Sequence, residues 1–199
     1  MNPHSEGGKT IFFFFLAAFF VIILLSTIFL YVLGSLWQIT DLRFGRGDYP
    51  GAIRTLGYIA LIDRHDIRAY QLKAWLQWSD AVEKSRRGEP YQLEIDAAIA
   101  TLHSGKRVNP YAWELALEEG QIWECFGDME KAALCYQEVF AYAPIPYSRL
   151  YPQTLKKCGK LKEACDAMAS ICADRNDRTS GVQLEELKNA TAGQSTKEQ

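Results

Sequence analysis

A short phrase occurs three times after one long apolar run. Gly47-Asp48-Tyr49-x-x-Ala52-x-x-x-Leu56 returns as Gly127-Asp128-Met129-x-x-Ala132-x-x-x-Tyr136 and again as Gly159-Lys160-Leu161-x-x-Ala164-x-x-x-Met168. The shared parts are a glycine, an alanine five residues later, and a large side chain four residues beyond that. Glycine lets the backbone turn where other residues are strained. A small residue followed at i+4 by a large one lies on one face of a helix. Each phrase therefore predicts a turn that feeds a helix. Recurrence at this scale predicts helical hairpins stacked one on the next. The expected fold class is all-α.

The alanines set the period. Ala52 to Ala98 is 46 residues, Ala98 to Ala132 is 34, and Ala132 to Ala164 is 32. The second repeat keeps Ala98-x-x-x-Leu102 and Asn109-Pro110 but has no Gly-Asp turn. Its excess length falls around Arg86-Arg87-Gly88-Glu89-Pro90, which reads as a turn-rich insertion. The register of its first helix is open among Tyr70, Leu72, Trp75 and Trp78. The third repeat is the fullest: Gly120-x-x-Trp123, Gly127-Asp128, Ala132-x-x-x-Tyr136, then Pro144. Gly120 and Ala132 are small where two helices approach, and Trp123 and Tyr136 fill the space beside them. Gly127 is suited to a left-handed helix cap, Asp128 to an N-cap, and Pro144 to stopping the second helix.

These residues resemble the tetratricopeptide repeat (TPR) family, whose period is 34. The resemblance covers about 70% of the chain, Leu36 to Arg175, and implies an α-solenoid of about four hairpins. It also implies protein binding in a groove lined by the first helix of each pair. At those positions stand Tyr70, Gln71, Trp75 and Trp78, then Glu114, Leu117, Gln121 and Glu124. Aromatic side chains are common interface anchors. Indoles beside carboxylates would suit a peptide with apolar and basic residues. The Lys and Asn that form the family's carboxylate clamp are not evident here, so chaperone-tail binding is not carried over.

Lys9 is the last charged residue before the apolar run and Asp41 the first after it. Ile11 to Leu33 exceeds the roughly 20 apolar residues that span a bilayer as a helix. Tyr31 and Trp37 stand at its downstream end, where aromatic side chains anchor. The run is longer than the roughly 7–15 residue core of a cleaved signal peptide. An uncleaved single-pass anchor in a membrane, such as a bacterial inner membrane, is the expectation. Arg43, Arg46 and Arg54 make the downstream side richer in cations, which favours a cytosolic repeat domain. The short N-terminal tail favours the opposite and makes the two sides nearly even, and the free thiols tip the expectation slightly toward the cytosolic side. No Gly/Ser/Pro-rich linker follows the run. The first repeat helix is therefore expected to continue the anchor directly or after a short break at Gly34-Ser35.

Net charge is −2, which argues against nucleic acid as a partner, because that needs a clustered cationic face. Lys84-Ser85-Arg86-Arg87 reads as a solvated helix end. Five cysteines cannot pair completely. Cys165 and Cys172 would lie roughly 10 Å apart along one helix, beyond the reach of about 7 Å for a disulfide. The cysteines read as small buried hydrophobes. His4, His65 and His103 are scattered, and no nucleophile elbow, phosphate loop or dinucleotide fingerprint is present. No enzyme activity, cofactor, metal or small-molecule substrate is expected. Glu118, Glu119 and Glu124 read as solvated carboxylates of an amphipathic helix.

The expected organisation is a polar tail over 1–10, an anchor over 11–35, a repeat domain over 36–175, and a capping segment with a disordered tail over 176–199. Within the last part, Thr179-Ser180-Gly181 breaks the pattern and Gln183 to Leu187 suits a short covering helix. The functional expectation is a membrane-anchored scaffold or assembly factor holding a protein partner at the bilayer. An export accessory that holds unfolded segments and a permanent subunit of a membrane complex are the alternatives.

Overall fold

The structure, a computed structural model, describes residues 4–175 and 178–195. Its described elements are all helices, and the chain falls into two compact units, Met1–Asp63 and Arg64–Gln199.

The first unit holds α1 (His4–Gly45) and α2 (Tyr49–Ile62). α1 is a single helix of 42 residues. It passes through Gly34 and Ser35 without a break, and the Ser35 hydroxyl donates back to the Tyr31 carbonyl at 2.8 Å. Its Phe15–Gly45 stretch is long and apolar enough to cross a membrane, and the most apolar part is wholly exposed in the protein. After a turn at Arg46-Gly47, α2 packs back along the last turns of α1. Ala52, Leu56 and Ile59 of α2 are fully buried.

The second unit contains three further hairpins. They are α3 (Ile67–Arg86) with α4 (Gln92–Val108), α5 (Trp113–Cys125) with α6 (Met129–Val139), and α8 (Leu150–Lys157) with α9 (Leu161–Arg175). A single turn, α7 (Ile145–Ser148), leads into α8, and α10 (Arg178–Ser195) packs on α9. Successive hairpins touch through α3 and α4 against α5, and through α6 against α8. The four repeat alanines, Ala52, Ala98, Ala132 and Ala164, are all fully buried. So are the large side chains four residues on: Leu56, Leu102, Tyr136 and Met168.

Each first helix ends in the same way. Gly47, Gly88, Gly127 and Gly159 have φ of 75°, 70°, 85° and 77°. Beside them, Asp48, Glu89, Asp128 and Lys160 donate backbone N–H groups to the carbonyls of Arg43, Lys84, Trp123 and Leu155 at 2.9–3.0 Å. These are Schellman caps, which satisfy carbonyls that a helix end leaves orphaned. A side chain at such a φ costs roughly 1–2 kcal/mol. Asp48 and Asp128 then cap the next helices, accepting from Gly51 and Lys131 N–H groups at 2.9 and 3.1 Å. Asp66 does the same for α3, accepting from Ala69 at 3.1 Å.

Several readings need correction. The second repeat does have its glycine turn, at Gly88. Its extra length is not an inserted loop, because α3 and α4 run 20 and 17 residues against 13 and 11 for α5 and α6. Longer helices absorb the excess. Pro144 does not itself stop α6, which ends at Val139. The proline instead caps α7. Beyond Asn189, where a disordered tail is expected, α10 continues to Ser195, while 196–199 lie outside the described residues. Thr179-Ser180-Gly181 lies within this helix, and buried Ser180 accepts a hydrogen bond from Arg149 Nε at 3.1 Å. Leu187 seals the core of the last hairpin with Leu155, Ala164, Met168 and Ile171.

Candidate partner-binding surface

Two first helices, α3 and α5, lie side by side and carry most of the sequence-predicted surface. Gln71, Trp75 and Trp78 follow at i, i+4 and i+7 along α3. Glu114, Glu118 and Gln121 do the same along α5, so each set forms one stripe. The stripes meet where the Trp78 indole Nε1 donates to Glu118 Oε1 at 2.7 Å. Trp75 is 39% exposed and Gln121 is exposed. Gln71, Trp78, Glu114 and Glu118 are half-buried.

Tyr70 and Leu117 belong elsewhere. Both are buried. Tyr70 packs its ring over Gly105, where a β-carbon would come within 2.8 Å of Tyr70 Cγ and 2.9 Å of Leu115 Cδ1. Leu117 joins Ala132 and Tyr136 in a cluster that Trp113 and Trp123 cover from outside. Glu124 is half-buried further along α5. It accepts the Tyr136 hydroxyl at 3.0 Å and pairs with Lys157 of α8. Trp123 is half-buried and lies under Lys131 Nζ, 4.2 Å from the ring centre, a cation–π contact. Gly120 is buried, and a β-carbon there would sit 2.8 Å from Tyr136 Cδ1 and Cζ.

The three carboxylates read as solvated are not. Burial raises the pKa of Glu118, and the Trp78 hydrogen bond opposes this. Glu119, one residue on, faces a different neighbour and is 6% exposed. It accepts from Lys106 Nζ at 3.2 Å and lies 3.0 Å from His103 Nε2, while Lys106 also donates to Glu138 at 2.6 Å. Cys135 is buried close by, and burial, with the Glu119 charge, pushes its thiol up to about 12. The thiol is therefore protonated and unreactive at neutral pH. The cysteines do not share one environment: Cys125 is exposed, Cys135 buried, and Cys158, Cys165 and Cys172 half-buried, all free.

The raised pKa of Glu118 fixes a sign. A carboxyl raised in the folded state binds its proton more readily there, so folding gains as pH falls toward 4.5 and loses as pH rises through the folded value. Glu118→Gln keeps an acceptor for Trp78 and removes the buried charge. It is expected to raise the melting temperature at pH 7, with the advantage vanishing below pH 4.5. A lower midpoint at pH 7 in a circular-dichroism melt would show that the charge itself stabilises the α3–α5 contact.

The basic group ending α3 is neutralised locally. Lys84 pairs with Asp80 and Glu94, Arg86 with Glu83, and Arg87 with Glu89. Among the described residues, no group of three or more His, Cys, Asp or Glu is placed to hold a metal ion.

Solved structures similar to this chain include a TPR protein. The chain superposes on TTC0263, a thermophilic TPR protein of Thermus thermophilus, with a TM-score of 0.54 at 16% identity, covering 78% of this chain and 80% of that one. A MamA double mutant (RS-1 ArsTM) gives 0.54 at 14% identity, covering 80% and 85%. A further MamA crystal structure gives 0.51 at 16% identity, covering 79% and 81%. No protein-family model and no curated protein matches the sequence. The fold is TPR-like.

Proposed function

We propose that this chain is a single-pass, membrane-anchored scaffold that holds a partner protein at the bilayer through the first-helix surface of α3 and α5. The observation that carries the reading is the Trp75–Trp78–Glu118 surface. There an indole is 39% exposed beside a second indole already fixed by a carboxylate. A rigid aromatic with an acceptor beside it binds a partner at low entropic cost. Glu114 and Glu118 favour a partner segment carrying basic residues between apolar ones.

The exposed apolar stretch of α1 supports the anchor. Its unbroken continuation to Gly45 leaves no flexible tether between the span and the first hairpin. A hairpin so joined stays near the surface rather than sampling a long radius.

The test is quantitative co-purification of the full chain from detergent-solubilised membranes. Trp75→Ala and Trp78→Ala should each lower recovery of one specific protein by about tenfold or more, the effect of a hot-spot residue. Melting temperature should stay within a few degrees for Trp75→Ala. Unchanged recovery with both variants would show that this surface is not where the partner sits.

A further inference from the structure

α2 returns to the level at which the apolar span ends. The register is set by Arg43, whose guanidinium donates to the Gly51 carbonyl at 2.7 Å and to Thr55 Oγ1 at 2.8 Å. Arg43 thus stands opposite the segment between them. With equal rise on both helices, Thr40 comes level with Leu56, Ile59 with Trp37, and Ile62 with Gly34. Thr40 and Leu56 are both fully buried, as that pairing requires. α1 climbs roughly 18 Å from Gly34 to Gly45, and the 14 residues of α2 descend roughly 21 Å.

The descending end is apolar on the side turned away from α1. Tyr58, Leu61 and Ile62 share a stripe at i, i+3 and i+4, and they are 58%, 69% and 40% exposed. The other side of α2 carries the buried Ala52, Leu56 and Ile59. On α1, Leu30 and Tyr31 at the end of the span are exposed as well. The apolar surface of the span therefore continues onto the tip of α2. Moving the exposed apolar surface of Leu61 and Ile62 from water into an apolar layer is favourable. Tyr58 is one turn higher, about 6 Å above Ile62, at the depth of the headgroup layer, where tyrosine concentrates.

We propose that the C-terminal end of α2 is a membrane-contacting foot. Leu61 and Ile62 enter the headgroup–acyl boundary of the bilayer that α1 crosses, and Tyr58 lies among the headgroups. The occupant is lipid because the patch is continuous with the span and level with its end. Two contacts, the span and the foot, then fix the angle at which the first hairpin leaves the surface. The inference rests on the reading of α1 as a bilayer-spanning helix.

The experiment places a photoreactive benzoylphenylalanine singly at Leu30, Tyr49, Tyr58 or Leu61 of the full chain. The protein is reconstituted in phosphatidylethanolamine–phosphatidylglycerol vesicles, irradiated, and read by intact mass. Lipid adducts are expected at Leu30, Tyr58 and Leu61, with only background at Tyr49, at the far end of α2. Labelling at Leu30 with only background at Tyr58 and Leu61 overturns the foot and leaves the anchor standing. No labelling at Leu30 overturns the anchor reading, and the foot falls with it. Adducts of protein mass at Leu61 in place of lipid assign the tip to another chain and also overturn the proposal.

Discussion

Gly120→Val is expected to lower the melting temperature of the full chain in mild detergent by about 6–12 °C. A β-carbon at Gly120 would come within 2.8 Å of Tyr136 Cδ1 and Cζ. Tyr136 cannot yield. It is 1% exposed, packed with Leu117 and Ala132, and its hydroxyl is tied to Glu124 at 3.0 Å. Overpacking of this kind costs about 1–3 kcal/mol, and losing the Tyr136 hydrogen bond adds about 1 kcal/mol. A total near 3 kcal/mol corresponds to about 2–4 °C for each kcal/mol in a domain of this size. Removing a helical glycine offsets part of this, by at most about 1 kcal/mol. Gly181→Ala supplies that offset alone, because Gly181 also lies within a helix but nothing stands within 4 Å of its β-position. A wild-type midpoint for Gly120→Val would mean that α5 and α6 are not close-packed at this point.

The parts of the fold legible in the sequence are those where packing permits few residue types. Ala52, Ala98, Ala132 and Ala164 mark helix crossings with no room for a larger side chain, and all four are fully buried. Gly47, Gly127 and Gly159 occupy a backbone region that penalises other residues. Gly88 escapes the pattern because its alanine lies ten residues downstream, not five. A signal for it exists in Lys84 and Arg86, basic residues in the last turn of α3, where cations favour a helix C-terminus.

The surface was less legible because a stripe in the sequence does not say which neighbour it faces. Tyr70 and Trp75 are both large, aromatic and on α3, yet Tyr70 fills the gap over Gly105 and Trp75 faces outward. Glu118 and Glu119 are adjacent in sequence and about 100° apart around the helix, so one meets Trp78 and the other Lys106. Nothing local to α5 announces either partner. Lys106 is 13 positions upstream and Trp78 is 40. A run of glutamates therefore looks solvated until the neighbouring helices are in place.

Lys106→Met is the second large effect, about 3 kcal/mol of lost stability. Glu119 is 6% exposed, and Lys106 supplies its full positive charge at 3.2 Å. His103 remains 3.0 Å away but is itself 56% exposed. Removing one partner of a buried pair costs about 3–5 kcal/mol, because the remaining charge is left uncompensated. The low end applies, since Lys106 keeps 21% exposure and the second partner, Glu138, is 45% exposed. Burial acts to lower the pKa of Lys106. Its bonds to Glu138 and Glu119 outweigh that and raise it above 10.5. A raised lysine stabilises the fold in full below 10.5 and loses that contribution as pH rises through the folded value. The gap between wild type and Lys106→Met should therefore be flat through neutral pH and close in strong alkali. Met conserves most of the aliphatic stem, so packing changes little. The double variant Lys106→Met with Glu119→Leu separates charge from shape. Exchanging a buried ion pair for apolar groups of similar size is often neutral or stabilising, so most of the lost stability should return in a urea titration. If the double variant is no more stable than Lys106→Met alone, the uncompensated Glu119 charge is not the source of the lost stability.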